Sequence, residues 1–544
     1  MNILSAAEMQ ACDRATTDRF GIPSIDLMRA ASSALASFAR QRFRRARRIT
    51  VLCGRGNNGG DGLMAARLLA EAGLDVTTIL LGAPDALKGD AAQAWAELNA
   101  APHGAIHVIT DAAQLAALTP ALQTDLLLDA ILGTGFAPPV RGLSLAAIEW
   151  ARNAAAPILA VDLPSGWPAD STAATCDGPV LPADAVLTFT APKPAHVFGQ
   201  LTRRWSDPVA VAPIGSPDEV VTSTLNLTWA GSAKRLVEAP RPADANKGRF
   251  GHALILGGAV GKAGAPAMAS LAAMRAGAGL VTAAVPAPVL ATVASFAPEL
   301  MTAPLPATPA GELDAIPPDT LAALLKGKTV VAAGPGLGQG TGAHSLVAAL
   351  LDSASLPLVL DADALNLLAA DRSLLAALAA QGRAGRTIIL TPHPGEMARL
   401  AATTIPAIQA DRLAAARSFA QQHAVTLVLK GARTLIAHPG GGVAVNTTGN
   451  PALAKGGSGD MLTGWLASLL AQHPAEPARA VEAAVHLHGL AADLAVRRAD
   501  EHTLLATDTL RHFSRAFRFR SSGPNGYVFL QGSAIHHSRA RGNQ

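Results

Sequence analysis

Short apolar runs alternate with glycine turns and with alanine- and leucine-rich stretches over residues 48–198. Such runs, bounded by turn signals, are typical of buried strands, and the stretches between them have the length of helices. Because strands and helices alternate, the pattern predicts a parallel sheet covered by helices. The predicted strands are 49–53, 76–81, 125–131, 157–161 and 185–189, and a helix is predicted at 62–72 after the first strand.

The alternation stops over residues 223–246, which include the proline-rich sequence APRPAD. Proline disfavours both helix and sheet, so this segment is predicted to link two domains. We therefore predict one α/β domain at 1–222 and a second at 247–520. The predicted strands of the second domain are 253–256, 280–285, 330–333, 358–360, 388–390 and 426–429.

The last segment, 521–544, contains Tyr527, several glycines and serines, and the pair His536 and His537 beside two arginines. This composition predicts a disordered tail, because it offers little apolar surface to bury. A metal site on the two histidines is the alternative.

Composition and charge narrow the class of protein. Half of the 544 residues are hydrophobic, 15% are charged, and the formal net charge is only +4. A small net charge without long basic runs argues against nucleic-acid and membrane partners. Cys12, Cys53 and Cys176 are too widely spaced for a disulfide framework or a zinc site. No apolar run reaches membrane-spanning length, so a cytoplasmic protein is expected.

A glycine loop with the sequence KGGSGD occupies 455–460 and precedes the apolar stretch 461–470. Backbone N–H groups at a helix start attract anions, and Asp460 could take a proton from an attacking hydroxyl. The loop therefore predicts a phosphoryl-handling site, and the alternative is a helix entry capped by Ser458 or Asp460. Further loops follow predicted strands at 257–265, 334–338, 391–396 and 429–434.

A second glycine loop, GRGNNGGDG at 54–62, follows the first predicted strand. Its G-x-G-x-x-G spacing is only weak evidence for dinucleotide binding, because the second strand ends without the acid that would bind a ribose. Asp129 and Asp162 each end a later strand, and Ser165 follows closely. Asn58, Asp129 and Ser165 could supply oxygen ligands to a cation and Asp162 a proton-transfer group, although each acid could also merely cap a turn.

These N-terminal motifs, with VDLPSG at 161–166, resemble the NAD(P)H-hydrate epimerase domain (YjeF N-terminal family) across most of residues 1–220. The resemblance implies a Rossmann-like domain, often dimeric, so a homo-oligomer is expected. It also implies that Asn58, Asp129 and Ser165 hold K⁺. The residues expected to contact the hydrated nucleotide are Asn57, Asn58, Gly59, Gly60, Asp61, Gly133, Thr134, Gly135 and Asp162.

The C-terminal loops, with DADALN at 361–366, resemble the ADP- or ATP-dependent NAD(P)H-hydrate dehydratases, a ribokinase-like family, over residues 225–520. The resemblance implies that Ala265, Gly338, His393 and Asp460 face the hydrate. It implies a nucleotide site, with Mg²⁺ and with ADP as the co-substrate. The residues expected there are Lys430, Gly431, Ala432, Arg433, Thr434, Gly456, Gly457, Ser458 and Gly459.

Together these resemblances predict a two-site repair enzyme for the hydrates NADHX and NADPHX. Asp162 would act as acid or base in epimerisation, and Asp460 would deprotonate the hydrate hydroxyl during its phosphorylation by ADP, before phosphate is eliminated. The rival hypothesis is a ribokinase-like kinase for a vitamin precursor, fused to a non-catalytic N-terminal scaffold. A stable phosphorylated product would favour that rival.

Overall fold

The structure, a computed structural model, describes residues 1–101, 103–118, 123–353, 355–523 and 525–531. The chain divides into two compact units, and the division differs from the predicted boundaries. The first unit contains Met1–Leu227 together with the chain end from Arg520, and the second contains Thr228–Phe519.

The first unit is a layered α/β domain. Its helices are α1 (Ala6–Phe20), α2 (Ser24–Arg42), α3 (Asn57–Glu71), α4 (Gly89–Ala100), α5 (Ala112–Leu118), α6 (Gly142–Arg152) and α7 (Pro194–Phe198). Its strands are β1 (Arg48–Cys53), β2 (Asp75–Leu81), β3 (Ala105–Ile109), β4 (Leu126–Ala130), β5 (Ile158–Val161), β6 (Ala185–Phe189), β7 (Val209–Ala212) and, from the chain end, β18 (Val528–Gln531).

The sheet of the first unit has the order β18-β7-β6-β5-β4-β1-β2-β3. All neighbours pair in parallel except β18, which runs antiparallel to β7. From β1 the chain adds β2 and β3 on one side, and then β4 to β7 on the other side of β1. Loops after β1 and β4 therefore diverge and leave a crevice at the carboxyl edge of the sheet, where α/β proteins bind ligands. This is the Rossmann-like arrangement that was predicted.

The second unit begins within the edge strand β8 (Leu227–Trp229), at Thr228. Its other strands are β9 (His252–Leu256), β10 (Leu280–Pro286), β11 (Met301–Leu305), β12 (Val330–Ala333), β13 (Leu358–Leu360), β14 (Ile388–Leu390), β15 (Thr426–Leu429), β16 (Leu435–Ala437) and β17 (Val443–Val445). Its helices are α8 (Gly264–Arg275), α9 (Leu290–Ala294), α10 (Pro318–Leu325), α11 (Thr341–Ser353), α12 (Asp363–Ala370), α13 (Arg372–Arg383), α14 (Pro394–Leu400), α15 (Ile405–Ala410), α16 (Arg412–His423), α17 (Ser458–Gln472), α18 (Pro477–Ala495) and α19 (Phe513–Arg518).

The second sheet has the order β11-β10-β9-β12-β13-β14-β15-β16-β17-β8. Its order reverses between β9 and β12, so a second crevice opens at the carboxyl edge. Helices α8 and α17 pack tightly beneath this sheet because Gly464 has no side chain: a Cβ there would lie 2.1 Å from the Ala269 carbonyl oxygen. The buried indole of Trp465 fills the neighbouring core. This packing holds the start of α17 against the crevice.

Three predictions about chain organisation need correction. The predicted linker 223–246 is ordered over much of its length, since it contains β8 and a 3-10 helix at Ala230–Val237 with Trp229 and Lys234 buried. The helix predicted at 62–72 begins earlier, at Asn57, because the loop glycines and asparagines form its first turns.

The predicted disordered tail is wrong for residues 528–531, which form β18. Phe529 is buried in the core, and the buried Tyr527 donates a hydrogen bond of 3.0 Å to the Ala34 carbonyl. These apolar residues bury enough surface to order the segment. His536 and His537 lie outside the described residues. Of the described helices, none combines the length and the apolarity that a membrane crossing requires.

Candidate active sites

The crevice of the first unit contains a cavity of about 560 Å³. It is lined by the loops after β1, β4, β5 and β6 and by one face of α1. Gly54 permits the close approach of two of these loops, since a Cβ there would lie 2.0 Å from the Ile131 carbonyl oxygen. Charged side chains from separate parts of the chain, Asp13, Asp61, Asp162 and Lys193, meet at this cavity.

Asp162 follows β5 in a left-handed conformation with φ of 65°, which is rare for a residue other than glycine. Its two carboxylate oxygens accept four hydrogen bonds. One oxygen accepts the Thr134 N–H at 2.7 Å and the Thr134 hydroxyl, and the other accepts the Thr188 hydroxyl at 2.8 Å and Lys193 Nζ at 2.9 Å. Asp162 and Thr134, which were each predicted to contact the substrate, are thus hydrogen-bonded to each other.

Lys193 is one of the residues of this site that the sequence patterns did not predict; Asp13 is another. Lys193 lies between Pro192 and Pro194 after β6, and its side chain is 2% exposed. Burial would raise the pKa of Asp162, but the Lys193 ammonium and the hydrogen bonds hold it well below its usual range. Burial, and then the Lys193 charge, lower the pKa of His196 to about 4, so this histidine is neutral as it bonds the Asp162 carbonyl at 2.7 Å. A lone lysine between two prolines after a strand was the available signal.

Asp61 lies in the first turns of α3, where Gly56 is the N-cap residue. Burial, and then the negative charges of Asp162, Asp13 and Asp90, raise the pKa of Asp61 well above its ordinary value. Asn57 and Asn58 line the same cavity, together with Gly133, Thr134 and Gly135, whereas Gly59 and Gly60 are buried in the helix start. A Cβ on Gly59 would meet the Gly54 carbonyl oxygen at 1.9 Å, so Gly59 is needed for the turn itself.

The three residues predicted to hold a cation are near the loop between β4 and α6. Asp129 is fully buried and accepts the Ser165 N–H at 2.8 Å and the Ser165 hydroxyl. Burial raises the pKa of Asp129 to about 6. The side-chain oxygen and nitrogen of Asn58 are buried and have no hydrogen-bond partner among the described residues. A Cβ on Gly133 would lie 2.9 Å from Asn58 Cγ and 3.0 Å from an Asp162 oxygen, so Asn58 and Asp162 flank the same glycine.

The crevice of the second unit is built around a buried carboxylate, Asp361, which is 2% exposed and follows β13. One of its oxygens accepts Lys430 Nζ at 3.0 Å, and the other accepts the Thr463 hydroxyl of α17 at 2.8 Å. Burial would raise the pKa of Asp361, but the Lys430 charge and these bonds lower it. Lys430 also lies 3.7 Å from a Glu396 oxygen. Lys430 is thus held between two acids.

Asp460 lies in the first turn of α17, after Gly457 turns the chain with φ of 92°. Burial and the charge of Asp361 raise the pKa of Asp460 to about 6, against the opposing charge of Lys430. A Cβ on Gly459 would stand 3.5 Å from both an Asp361 oxygen and Lys430 Nζ, so this glycine backbone faces the same pair. A carboxyl with a raised pKa, a lysine and a helix N-terminus therefore meet at one point, as phosphoryl transfer requires.

The other predicted hydrate contacts divide into two groups. Gly338 donates its N–H to Asp363 at 2.8 Å, and Lys262 Nζ lies 3.3 Å from the same carboxylate. A Cβ on Gly336 would contact both Lys262 and Ala265, so Ala265 belongs to this group.

His393 caps α14 and has a half-exposed side chain 3.6 Å from Glu396, on the Lys430 side of the crevice. Burial lowers its pKa.

The backbone of the loop 430–434 is held by side-chain hydrogen bonds. Arg412 donates hydrogen bonds to the carbonyls of Leu429, Lys430 and Ala432, and the Thr434 hydroxyl bonds the Gly431 carbonyl at 2.9 Å. Arg433 donates to the Thr447 carbonyl at 2.9 Å, and burial lowers its pKa to about 10.

In the 455–460 loop, Gly456 precedes the turn at Gly457, and the buried Ser458 hydroxyl has no hydrogen-bond partner among the described residues. Lys455 donates to the carbonyls of His502 and Leu504, so it anchors the loop instead of pointing into the crevice.

Among the described residues, no group of three or more His, Cys, Asp or Glu side chains could hold a metal ion.

Comparison with known proteins agrees along both units. A family model described as NAD(P)H-hydrate dehydratase matches residues 253–515, and one described as YjeF-related protein N-terminus matches residues 24–195. A solved structure titled as the ADP/ATP-dependent NAD(P)H-hydrate dehydratase from Bacillus subtilis, co-crystallised with ATP and Mg²⁺, is 32% identical. It covers 54% of this chain and 98% of that chain with a TM-score of 0.44.

Two full-length relatives carry the same name, bifunctional NAD(P)H-hydrate repair enzyme Nnr. The protein from Moorella thermoacetica is 41% identical over 94% of this chain and 95% of its own length. The protein from Salinibacter ruber is 36% identical over 93% of this chain and 94% of its own length. Since the match spans both units with their sites, the chain belongs to the family of bifunctional NAD(P)H-hydrate repair enzymes.

Proposed function

We propose that this protein repairs hydrated nicotinamide nucleotides in two steps. The first unit interconverts the (R)- and (S)-epimers of NADHX and NADPHX, and the second unit dehydrates the (S)-epimer with ADP, giving NAD(P)H, AMP and phosphate. The observation that carries the dehydration step is Asp460, whose pKa is raised to about 6 at the start of α17 beside Lys430. Full-length relatives named as bifunctional repair enzymes support the pairing of the two steps.

Dehydration needs a better leaving group than hydroxide. Asp460, as a carboxylate, would accept the proton of the hydrate hydroxyl while that oxygen forms a bond to the β-phosphorus of ADP and AMP departs. The ring nitrogen then expels phosphate, and a proton lost from the adjacent ring carbon restores the double bond. The overall reaction removes one water from the hydrate, and that water appears in the hydrolysis of ADP to AMP and phosphate.

The second crevice has the charges that this transfer needs. Lys430 and the N–H groups at Gly457, Ser458 and Gly459 would bind the phosphates, and the backbone of loop 430–434 would hold the rest of the nucleotide. Gly456 would let the loop approach closely. Mg²⁺, carried on the phosphates, would supply charge neutralisation during the transfer.

The first crevice would hold the hydrate between α3 and the β4 and β5 loops. Asn57 through Asp61 and Gly133 through Gly135 would bind the nucleotide, with Asp162 facing the ring. Epimerisation proceeds by loss of the hydroxyl as water to give a ring cation, followed by return of water to the other face. Because the pKa of Asp162 is depressed, Asp162 would stay ionised and stabilise that cation.

K⁺ is the ion that we propose for the first unit, held by Asn58, Asp129 and Ser165. The unpartnered buried amide of Asn58 and the buried carboxyl of Asp129 fit an oxygen-liganded cation. A bound K⁺ would supply a fixed positive charge in the crevice. A higher melting temperature in KCl than in NaCl at equal ionic strength, lost in Asp129→Asn, would support this site.

The decisive experiment mixes the purified protein with both NADHX epimers and adds ADP or, separately, ATP. Full recovery of dihydronicotinamide absorbance is expected with ADP. Asp460→Ala should abolish recovery but leave epimer exchange intact, and Asp162→Asn should limit recovery to the (S)-epimer initially present. Accumulation of a stable phosphorylated product without free phosphate would instead support the kinase hypothesis with a scaffold domain.

We further infer that the protein acts on these small molecules in the cytoplasm as a homo-oligomer, without nucleic-acid or membrane partners. Light scattering on the purified protein gives its mass in solution, and a monomer would contradict this inference.

A further inference from the structure

The four hydrogen bonds to Asp162 limit what this residue can do in epimerisation. Both of its carboxylate oxygens are already engaged by donors, and one of those donors is the ammonium of Lys193. A carboxylate in this state is suited to stabilise a cation and is a poor source of protons. Loss of the hydrate hydroxyl as water nevertheless needs a proton, so another group must supply it.

Asp13 is a partly buried carboxyl on the same cavity that Asp162 lines. One face of α1 lines the cavity with Met9, Gln10 and Asp13. Asp13 Oδ1 is buried and has no hydrogen-bond partner among the described residues. A buried carboxyl oxygen without a protein partner is costly unless it is protonated or bound by a ligand.

Helix α1 is held firmly in place at its start. Ser5 and Glu8 form a capping box, and the other oxygen of Glu8 accepts the Thr224 N–H at 2.6 Å. The Leu4 N–H donates to the Pro192 carbonyl at 3.0 Å, next to Lys193. The position of Asp13 is therefore tied to the loop that carries the ammonium partner of Asp162.

The environment of the cavity raises the pKa of Asp13 above that of an ordinary aspartate. Burial raises its pKa, Lys193 and Arg14 lower it, and Asp162 raises it. Asp13 in turn raises the pKa of Asp61. One ionised and one protonable carboxyl in a single site is the arrangement by which enzymes separate the base or electrostatic role from the acid role.

We propose that Asp13 is the proton donor for epimerisation in the first unit, with Asp162 as the ionised partner. This assignment rests on the proposed function. The Asp13 carboxyl gives its proton to the hydrate hydroxyl as the carbon–oxygen bond breaks and water leaves. The lone pair of the ring nitrogen is donated to the carbon, which gives the ring cation. Water then adds to the opposite face and loses a proton to solvent, and the Asp13 carboxylate regains one from solvent, so atoms and charge balance over the cycle.

The test uses the full-length protein and follows conversion of purified (R)-NADHX to the (S)-epimer by chromatography. Asp13→Asn should lower kcat by about 10²- to 10⁴-fold with little change in KM, as expected for loss of an acid. Asp13→Glu should restore part of kcat. Asp18→Asn, on the exposed side of the same helix, is the matched control and should behave as wild type. ADP-dependent dehydration of purified (S)-NADHX should be unchanged in all of these variants.

The pH profile separates a proton donor from a structural residue. Wild-type kcat should fall as pH rises through the raised pKa of Asp13, whose charged neighbours are Lys193, Asp162, Asp61 and Arg14. This alkaline limb should be absent in Asp13→Asn. Asp61→Asn should chiefly raise KM, because Asp61 is assigned to substrate binding.

Failure of the proposal and failure of the proposed function give different results. Wild-type protein that does not exchange the epimers refutes the function itself. If the wild type exchanges the epimers and the kcat of Asp13→Asn is within about threefold of the wild-type kcat, the assignment of Asp13 is overturned. The assignment is also overturned if the alkaline limb is lost in Asp61→Asn and kept in Asp13→Asn. If Asp13→Asn does not fold, Asp13→Glu decides: a displaced alkaline limb supports the proposal and an unmoved limb overturns it.

Discussion

Replacing Lys193 by methionine tests the electrostatic core of the first crevice. Methionine keeps most of the lysine volume but removes the ammonium, which lies 2.9 Å from Asp162 and 2.8 Å from the Thr188 hydroxyl. The lysine side chain is 2% exposed, so water cannot readily take its place. The substitution therefore leaves the buried Asp162 carboxylate without its counter-charge.

The cost follows from leaving one member of a buried pair alone. Breaking such a pair destabilises a protein by about 3–5 kcal/mol, whereas replacing both members by neutral groups is often close to neutral. We expect Lys193→Met to lower the free energy of unfolding of the first unit by about 3 kcal/mol at pH 7. The double variant with Asp162→Asn should recover on the order of 1–3 kcal/mol of that loss through the coupling between the two sites.

The pH dependence has a definite sign. In the wild type the pKa of Asp162 is depressed, so its stabilising contribution is full above the unfolded pKa of about 4 and is lost as pH falls through the folded pKa. Without Lys193, burial raises the pKa of Asp162. The deficit of Lys193→Met should therefore shrink as pH is lowered, because the carboxyl protonates in the folded state.

Urea denaturation at pH 8 and pH 5.5, with amide hydrogen exchange in β5 and β6 as the readout, measures these differences in the first unit alone. Two results would contradict this prediction. One is a Lys193→Met variant as stable as the wild type at pH 8. The other is a double variant with Asp162→Asn that is less stable than Lys193→Met alone. Lys88→Met is the matched control, because Lys88 is exposed. Lys234 would not serve, because it is also buried.

Three further predictions concern other parts of the chain. Dehydration should lose activity as pH falls through about 6, where Asp460 protonates, and assays of the wild type from pH 5 to 8 measure this limb. Gly459→Ala should fold normally, since its Cβ meets Lys430 only at 3.5 Å, but it should raise the KM for ADP in steady-state assays. Truncation after Arg520 removes β18 and should make the first unit sensitive to protease, whereas Tyr527→Phe, which loses one hydrogen bond, should cost only about 1 kcal/mol in urea denaturation.

Local sequence patterns were sufficient for the central strands of both sheets. Buried parallel strands are continuous apolar runs, so β1, β6 and β12 were identified to within a residue. Edge strands such as β3 and β11 were missed, since their exposed faces interrupt the apolar run. The glycine loops were also identifiable, because close backbone approach excludes a side chain at positions such as Gly54.

The sequence by itself determined the two α/β units, the glycine turns at their crevices and the placement of Asp162 and Asp460 beside them, because strand periodicity and turn chemistry are local. Tertiary structure alone decided which distant groups join them. Asp13 and Lys193 are far apart along the chain, and β18 is paired with β7 across some 300 residues. The protonation of each carboxyl depends on burial and on neighbouring charges, and these exist only once the chain has folded.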